Sequence, residues 1–121
     1  MAKLLIVDDE DDVREFAANF FRKRKVEVIT ASSGEEAIEI VVNQKPGLIL
    51  LDIKMNGIDG IETLRRIKDK DKDVKVIMVT GTKPEEGRTF DRCRQLGAVN
   101  YIHKPLELDE LERVVLKELS T

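Results

Sequence analysis

Five residues carry side chains that could act together on a phosphoryl group: Asp8, Asp9, Asp52, Thr80 and Lys104. Asp8 and Asp9 follow the apolar run LLIV, Asp52 follows LILL, Thr80 follows VIMV, and Lys104 comes shortly after Ile102. Ligands of open α/β sheets bind beyond the carboxyl ends of the strands, so residues that close apolar runs are read as one set. Three carboxylates at one sheet edge repel each other unless a cation intervenes or one takes up a proton. Oxygen-only ligands suit a hard divalent ion, and a cluster this small suits Mg²⁺, which keeps several of its waters. The Thr80 hydroxyl and the Lys104 ammonium would add a donor and a positive charge for an incoming phosphoryl group, whose transfer depends mainly on positioning and charge stabilisation. Asp52, alone at the end of its run, is the candidate nucleophile, because carboxylates form aspartyl-phosphates. A simpler reading, in which these acids only cap the helices that follow, explains Glu10, Asp11 and Asp12. It leaves Asp52, Thr80 and Lys104, on three other connections, unexplained.

The elements that would position them follow from periodicity. Apolar runs at Lys3 to Val7, Val26 to Thr30, Gly47 to Leu51, Lys75 to Thr80 and Val99 to Ile102 alternate with longer, polar-faced segments. LLIV, LILL and VIMV are apolar without alternation, as in parallel strands buried on both faces. Between them, Val13, Phe16, Ala17, Phe20 and Phe21 predict a first helix over residues 10–23 with these side chains inward. Ser33 with Glu36, and Asp59 with Glu62, are capping-box pairs that open the second and third helices. Their apolar stripes are Ala37, Ile38 and Val41, then Ile61, Leu64 and Ile67. A fourth helix, residues 84–96, has a sparse stripe of Phe90, Cys93 and Leu96, a possible cap in Thr82 and Glu85, and an interrupting Gly87. It is expected to be the loosest, since an interior Gly costs about 1 kcal/mol relative to Ala. Leu108, Leu111, Val115 and Leu119 mark the last helix. The order βαβαβαβαβα with short connections implies right-handed crossovers and a doubly wound α/β sheet with helices on both faces.

Composition agrees. The 121 residues include 21 Lys and Arg against 24 Asp and Glu, a net charge of −3, with 41% hydrophobic and 37% charged residues. That balance predicts one soluble domain over residues 1–121 and argues against nucleic acid as the main partner. No apolar run approaches the ~20 residues that span a bilayer, and no signal peptide is visible, so the expected location is the cytoplasm. Cys93 is the only cysteine, which excludes an internal disulfide and any zinc site built on paired cysteines.

On these residues the chain resembles the response-regulator receiver domains. The resemblance covers nearly the whole sequence, through LLIVDDEDDVR, ASSGEEAI, LILLDIKMNGIDGIETLRRIK, VIMVTG and LGAVNYIHKPLELDEL in order. It implies a flavodoxin-like, five-stranded parallel sheet of strand order 2-1-3-4-5 with five helices, an order that periodicity does not supply. It also implies a phosphorylatable switch of a two-component phosphorelay, with a sensor histidine kinase or a histidine phosphotransfer protein as donor. In such a domain Asp52 is the phosphoacceptor, and Asp9 binds Mg²⁺ (or Mn²⁺) directly, with Asp8 acting mostly through water. The backbone carbonyl of Lys54 is a third protein ligand. Thr80 is the switch hydroxyl, Lys104 pairs with the phosphoryl group, the Lys104–Pro105 bond is cis, and Tyr101 is the switch aromatic. The resemblance further implies an output surface on the fourth helix, fifth strand and fifth helix, open to an effector or to a second copy. No direct contact with nucleic acid or membrane is implied.

Three residues depart from, or vary within, that pattern. Asn56 stands where many such domains have Pro, and Thr82 and Lys54 occupy positions that influence phosphoryl loss in the family. The local charge imbalance predicts that the Lys54 ammonium folds over the carboxylates when no metal is bound. Other polar features have plainer readings. Arg22 to Lys25 closes the first helix, where cations complement the dipole; Lys68 to Lys75 reads as an exposed loop, His103 as a surface residue and Cys93 as a small apolar contact. Three competing functions fit these residues less well. A haloacid-dehalogenase-type phosphatase would need an acid where Lys54 stands, a flavodoxin-like carrier would have to hold a phosphate beside DDEDD, and a receiver-like interaction module would need no acceptor set at all.

Overall fold

The computed structural model describes residues 3–55, 57–81 and 87–120, with the side chains of residues 87–90 left aside. Asn56, Thr82, Pro84, Glu85 and the Phe90 side chain therefore lie outside the described residues. The elements run β1 (Leu4–Val7), α1 (Asp11–Arg22), β2 (Val28–Ala31), α2 (Gly34–Gln44), β3 (Leu48–Asp52), α3 (Gly60–Lys70), β4 (Lys75–Thr80), α4 (Gly87–Gln95), β5 (Asn100–His103) and α5 (Leu108–Leu119). The strands form one sheet, ordered β2-β1-β3-β4-β5, and every neighbouring pair is parallel.

The unalternating runs are explained by the two cores. Leu5, Val7, Ile49, Leu51, Val76 and Met78 point to the face covered by Ala37 and Val41 of α2, Leu64 and Ile67 of α3, and Cys93 of α4. Leu4, Ile6, Leu48, Leu50, Ile77 and Val79 point to the other, against Ala17, Ala18 and Phe21 of α1 and Leu111 and Val115 of α5. Successive strand residues alternate faces, so a strand covered on both sides must be apolar throughout. The edge strands β2 and β5 are only partly buried.

Several local expectations are corrected. Val26 is not in β2; its N–H donates to Phe21 O at 3.1 Å, closing a turn in which Lys25 has φ 64°. Phe16 is not inward but 56% exposed. The buried line of α1 is Ala17 and Phe21, one turn apart, and Phe16 falls about 100° round the helix from it. Leu108, on the first turn of α5, is also exposed, and Leu111 is the first buried residue of that helix. Lys68 lies in α3 and not in a loop, and its ammonium donates to Val74 O at 2.5 Å, tethering the turn into β4.

Both capping pairs form on their N-cap side. Ser33 Oγ accepts from Glu36 N at 3.1 Å, and Asp59 Oδ1 from Glu62 N at 2.8 Å. The reciprocal bonds differ from a simple capping box. Glu36 reaches the N–H of Ser32 at 2.7 Å. Glu62 turns instead to Arg65 and Arg66, whose hydrogen bonds hold its carboxyl at about 2.

Candidate functional site

The sheet order brings the chemistry-bearing strand ends together. Val7 is level with Leu51, so the next residues, Asp8 and Asp52, stand side by side on neighbouring strands. Thr80 closes β4 and is level with His103, so Lys104 follows immediately past β5. Asp8, Asp52 and Thr80 are all buried. Asp8, Asp9 and Asp52 each offer one carboxylate oxygen within 4.8 Å of the others.

Lys104 reaches into this cluster from the edge strand. Its Nζ lies 3.2 Å from Asp52 Oδ2, 3.7 Å from Asp8 Oδ2 and 3.9 Å from Glu10 Oε1. Burial works against its charge, but Asp52, Asp8 and Glu10 outweigh it and raise the Lys104 pKa. Burial, and then the charge of Asp8, push the Asp52 carboxyl above its ordinary value, although Lys104 and the backbone N–H of Lys54 pull the other way. One ammonium therefore does not fully offset the crowded acids. An all-oxygen set with residual negative charge is the donor chemistry of a small, hard divalent cation.

Lys54 itself does not do what the charge imbalance predicts. Its side chain is exposed and enters no ion pair among the described residues, and Lys104 is the cation that meets the carboxylates. The Lys104–Pro105 peptide is cis. Tyr101 is half-buried on the α2–α4 side of the sheet, with its ring edge-on to exposed His103 at 5.2 Å between centroids. It borders a cleft of about 190 Å³ with Cys93, Arg94 and Val99.

A family model, the response regulator receiver domain, matches residues 4–116. The chain belongs to that family. Among its relatives, this receiver is 37% identical to the sporulation initiation phosphotransferase F of Bacillus subtilis (strain 168), over 97% of this chain and 93% of that protein. It is 33% identical to the regulatory protein AtoC of Escherichia coli (strain K12), over 97% of this chain but 25% of that protein. A CheY-like response regulator receiver domain protein from Methanospirillum hungatei JF-1 superposes with a TM-score of 0.90 at 28% identity, covering 99% of this chain and 94% of that one. Receiver domains of two-component systems bind Mg²⁺ at an acidic pocket and interact with histidine kinases and effector domains, and this receiver has the acid cluster. No helix among its described residues is long and apolar enough to cross a membrane.

Three residues of the receiver's site escaped the sequence reading. Glu10, read only as a helix-end acid, faces Lys104, and its N–H donates to Asp8 Oδ1 at 2.9 Å. Gly60 donates from its N–H to Ile53 O at 2.7 Å, and a Cβ there would lie 2.3 Å from Asp52 O. A glycine opening a helix, where a better helix former would serve, was the available signal. Arg14 donates to the Asp8 carbonyl at 2.9 Å, a contact that its spacing from Asp11 does not announce.

Proposed function

We propose that this receiver is a phosphorylatable switch whose acceptor is Asp52. An Asp52 carboxylate oxygen attacks the phosphorus of a phosphohistidine, the P–N bond breaks, and the donor imidazole leaves with the electron pair. Mg²⁺ (or Mn²⁺), when held by Asp9, Asp52, the Lys54 carbonyl and, through water, Asp8, would neutralise charge on the phosphoryl oxygens. Lys104 supplies a fixed cation beside the acceptor, and Thr80 a hydroxyl donor to a phosphoryl oxygen. The 121 residues act as one receiver unit that catalyses only its own phosphorylation and dephosphorylation.

The donor is a sensor histidine kinase or a histidine phosphotransfer protein in the cytoplasm. The phosphoryl group draws Thr80 toward it, and Tyr101 repacks in response, changing the α4–β5–α5 surface seen by an effector or a second copy. The observation that carries this reading is the convergence of Asp8, Asp9 and Asp52 within 4.8 Å, with Lys104 3.2 Å from Asp52. The haloacid-dehalogenase alternative is not favoured, because the general acid it needs two residues past the nucleophile is here the exposed Lys54.

Intact mass after incubation with acetyl phosphate and Mg²⁺ tests the reading. Wild type should gain one base-labile phosphoryl group, about 80 Da, and Asp52→Asn none. If folded, Mg²⁺-binding wild type gains nothing from this donor or from phosphohistidine donors, the interaction-module reading replaces this one.

A further inference from the structure

Arg14 sits in the first turns of α1 with its side chain 13% exposed, although its acid partners Asp11 and Glu15 are 82% and 53% exposed. Surface pairs of this kind contribute little to stability and do not explain a largely buried guanidinium. The second contact does. Arg14 Nη1 donates to the backbone carbonyl of Asp8 at 2.9 Å, while Nη2 holds Asp11 Oδ1 at 2.6 Å. The Arg14 N–H also donates to Glu10 O at 3.0 Å, so this one residue ties α1 to both sides of the short link from β1.

That carbonyl belongs to the peptide joining Asp8 to Asp9. The peptide unit is planar, so the direction of the Asp8 carbonyl also sets the Asp9 N–H and the place of the Asp9 Cα from which its side chain starts. The Asp8 carboxylate has its own restraints, in the Glu10 N–H at 2.9 Å and Lys104 at 3.7 Å. Asp9 is partly buried, and the peptide that leads into it is the one whose carbonyl Arg14 holds.

We propose that Arg14 is a positioning residue for the divalent-cation site: through the Asp8 carbonyl it holds the Asp8–Asp9 peptide in the orientation that brings the Asp9 carboxylate to Asp8 and Asp52. This inference rests on reading the acid cluster as the Mg²⁺ site. It is separable from a charge effect by sign. Removing a nearby cation by itself would tighten Mg²⁺ binding, whereas losing the brace weakens it.

The test is titration of Mg²⁺ alone into wild type, Arg14→Ala and Arg14→Lys by calorimetry, with melting temperatures and metal-free ¹⁵N amide spectra of each. Arg14→Ala should bind Mg²⁺ about 10- to 100-fold more weakly, the usual loss when a support of a metal ligand is removed. Its Asp9 and Glu10 amide signals should shift before any metal is added. Equal or tighter Mg²⁺ binding by folded Arg14→Ala overturns the proposal. If Arg14→Ala does not fold, Arg14→Lys decides on the same terms, since an ammonium keeps the charge but not the two-acceptor fork. Wild type that binds no Mg²⁺ overturns the cation-site reading itself, whatever the variants do.

Discussion

The backbone N–H of Lys104 donates to the carbonyl of Thr80 at 2.6 Å. This bond, just past the ladder between β4 and β5, fastens the hydroxyl-bearing end of one strand to the lysine that follows the other. From that anchor the Lys104 side chain crosses β4 to reach Asp52 on β3 and Asp8 beyond β1. A compact ammonium on a flexible four-carbon stem suits that span.

The fold raises the Asp52 pKa above its ordinary 3.8, by burial first and then by Asp8. Folding therefore costs the charged carboxylate more than the neutral carboxyl. Stability from this group is full below pH 3.8 and is lost as pH rises through the raised value. Asp52→Asn should therefore melt about 5 °C higher than wild type at neutral pH, as relief of roughly 1 kcal/mol would give. The gain should vanish near pH 3, about where the carboxyl is mostly protonated in the folded and the unfolded chain alike. Thermal melts at the two pH values check this.

Lys104→Met removes the cation that occupies the space between Asp52 and Asp8. Mg²⁺ should then bind at least as tightly as in wild type, because a competing positive charge is gone. Phosphorylation by acetyl phosphate should slow by about 100-fold, the usual effect of losing one charge-stabilising group. Calorimetry and a mass-based time course separate the two effects.

Gly60→Ala places a methyl 2.3 Å from Asp52 O and 2.6 Å from Ile53 Cα, both backbone atoms that cannot move aside cheaply. A loss of about 1–3 kcal/mol in urea unfolding is expected, together with slower phosphorylation. Gly81→Ala is the contrast, since among the described residues its Cβ would meet only Lys104 Cδ, at 4.0 Å. It should be within about 0.5 kcal/mol of wild type.

Lys45 ends α2 with φ 48°, in the left-handed region where a side chain is strained. Lys45→Gly should raise stability by about 0.5–1 kcal/mol, the relief of that strain less the greater entropy glycine gives the unfolded chain. A shift of the urea midpoint to higher concentration, with unchanged slope, is the expected reading.

Much of this receiver was legible in its amino-acid order. LLIV, LILL and VIMV announce strands covered on both sides, because burial on two faces removes the need for alternation. The N-caps Ser33 and Asp59 follow from orphan N–H groups within reach along the chain. Asp8, Asp9, Asp52, Thr80 and Lys104 were recognisable as a set because each ends or follows a run. The strand order came with the family resemblance, since periodicity is a local property and is silent on which strands are neighbours. Only the tertiary structure decided which cation meets the acids: Lys54 and Lys104 carry the same charge and both start near the cluster, but the Lys54 side chain is exposed while Lys104 Nζ lies 3.2 Å from Asp52. It likewise decided that Phe16 faces outward, that Lys68 braces a turn and that Arg14 holds the Asp8 carbonyl. Each of these depends on distances across elements, set when the sheet and its two helical layers close.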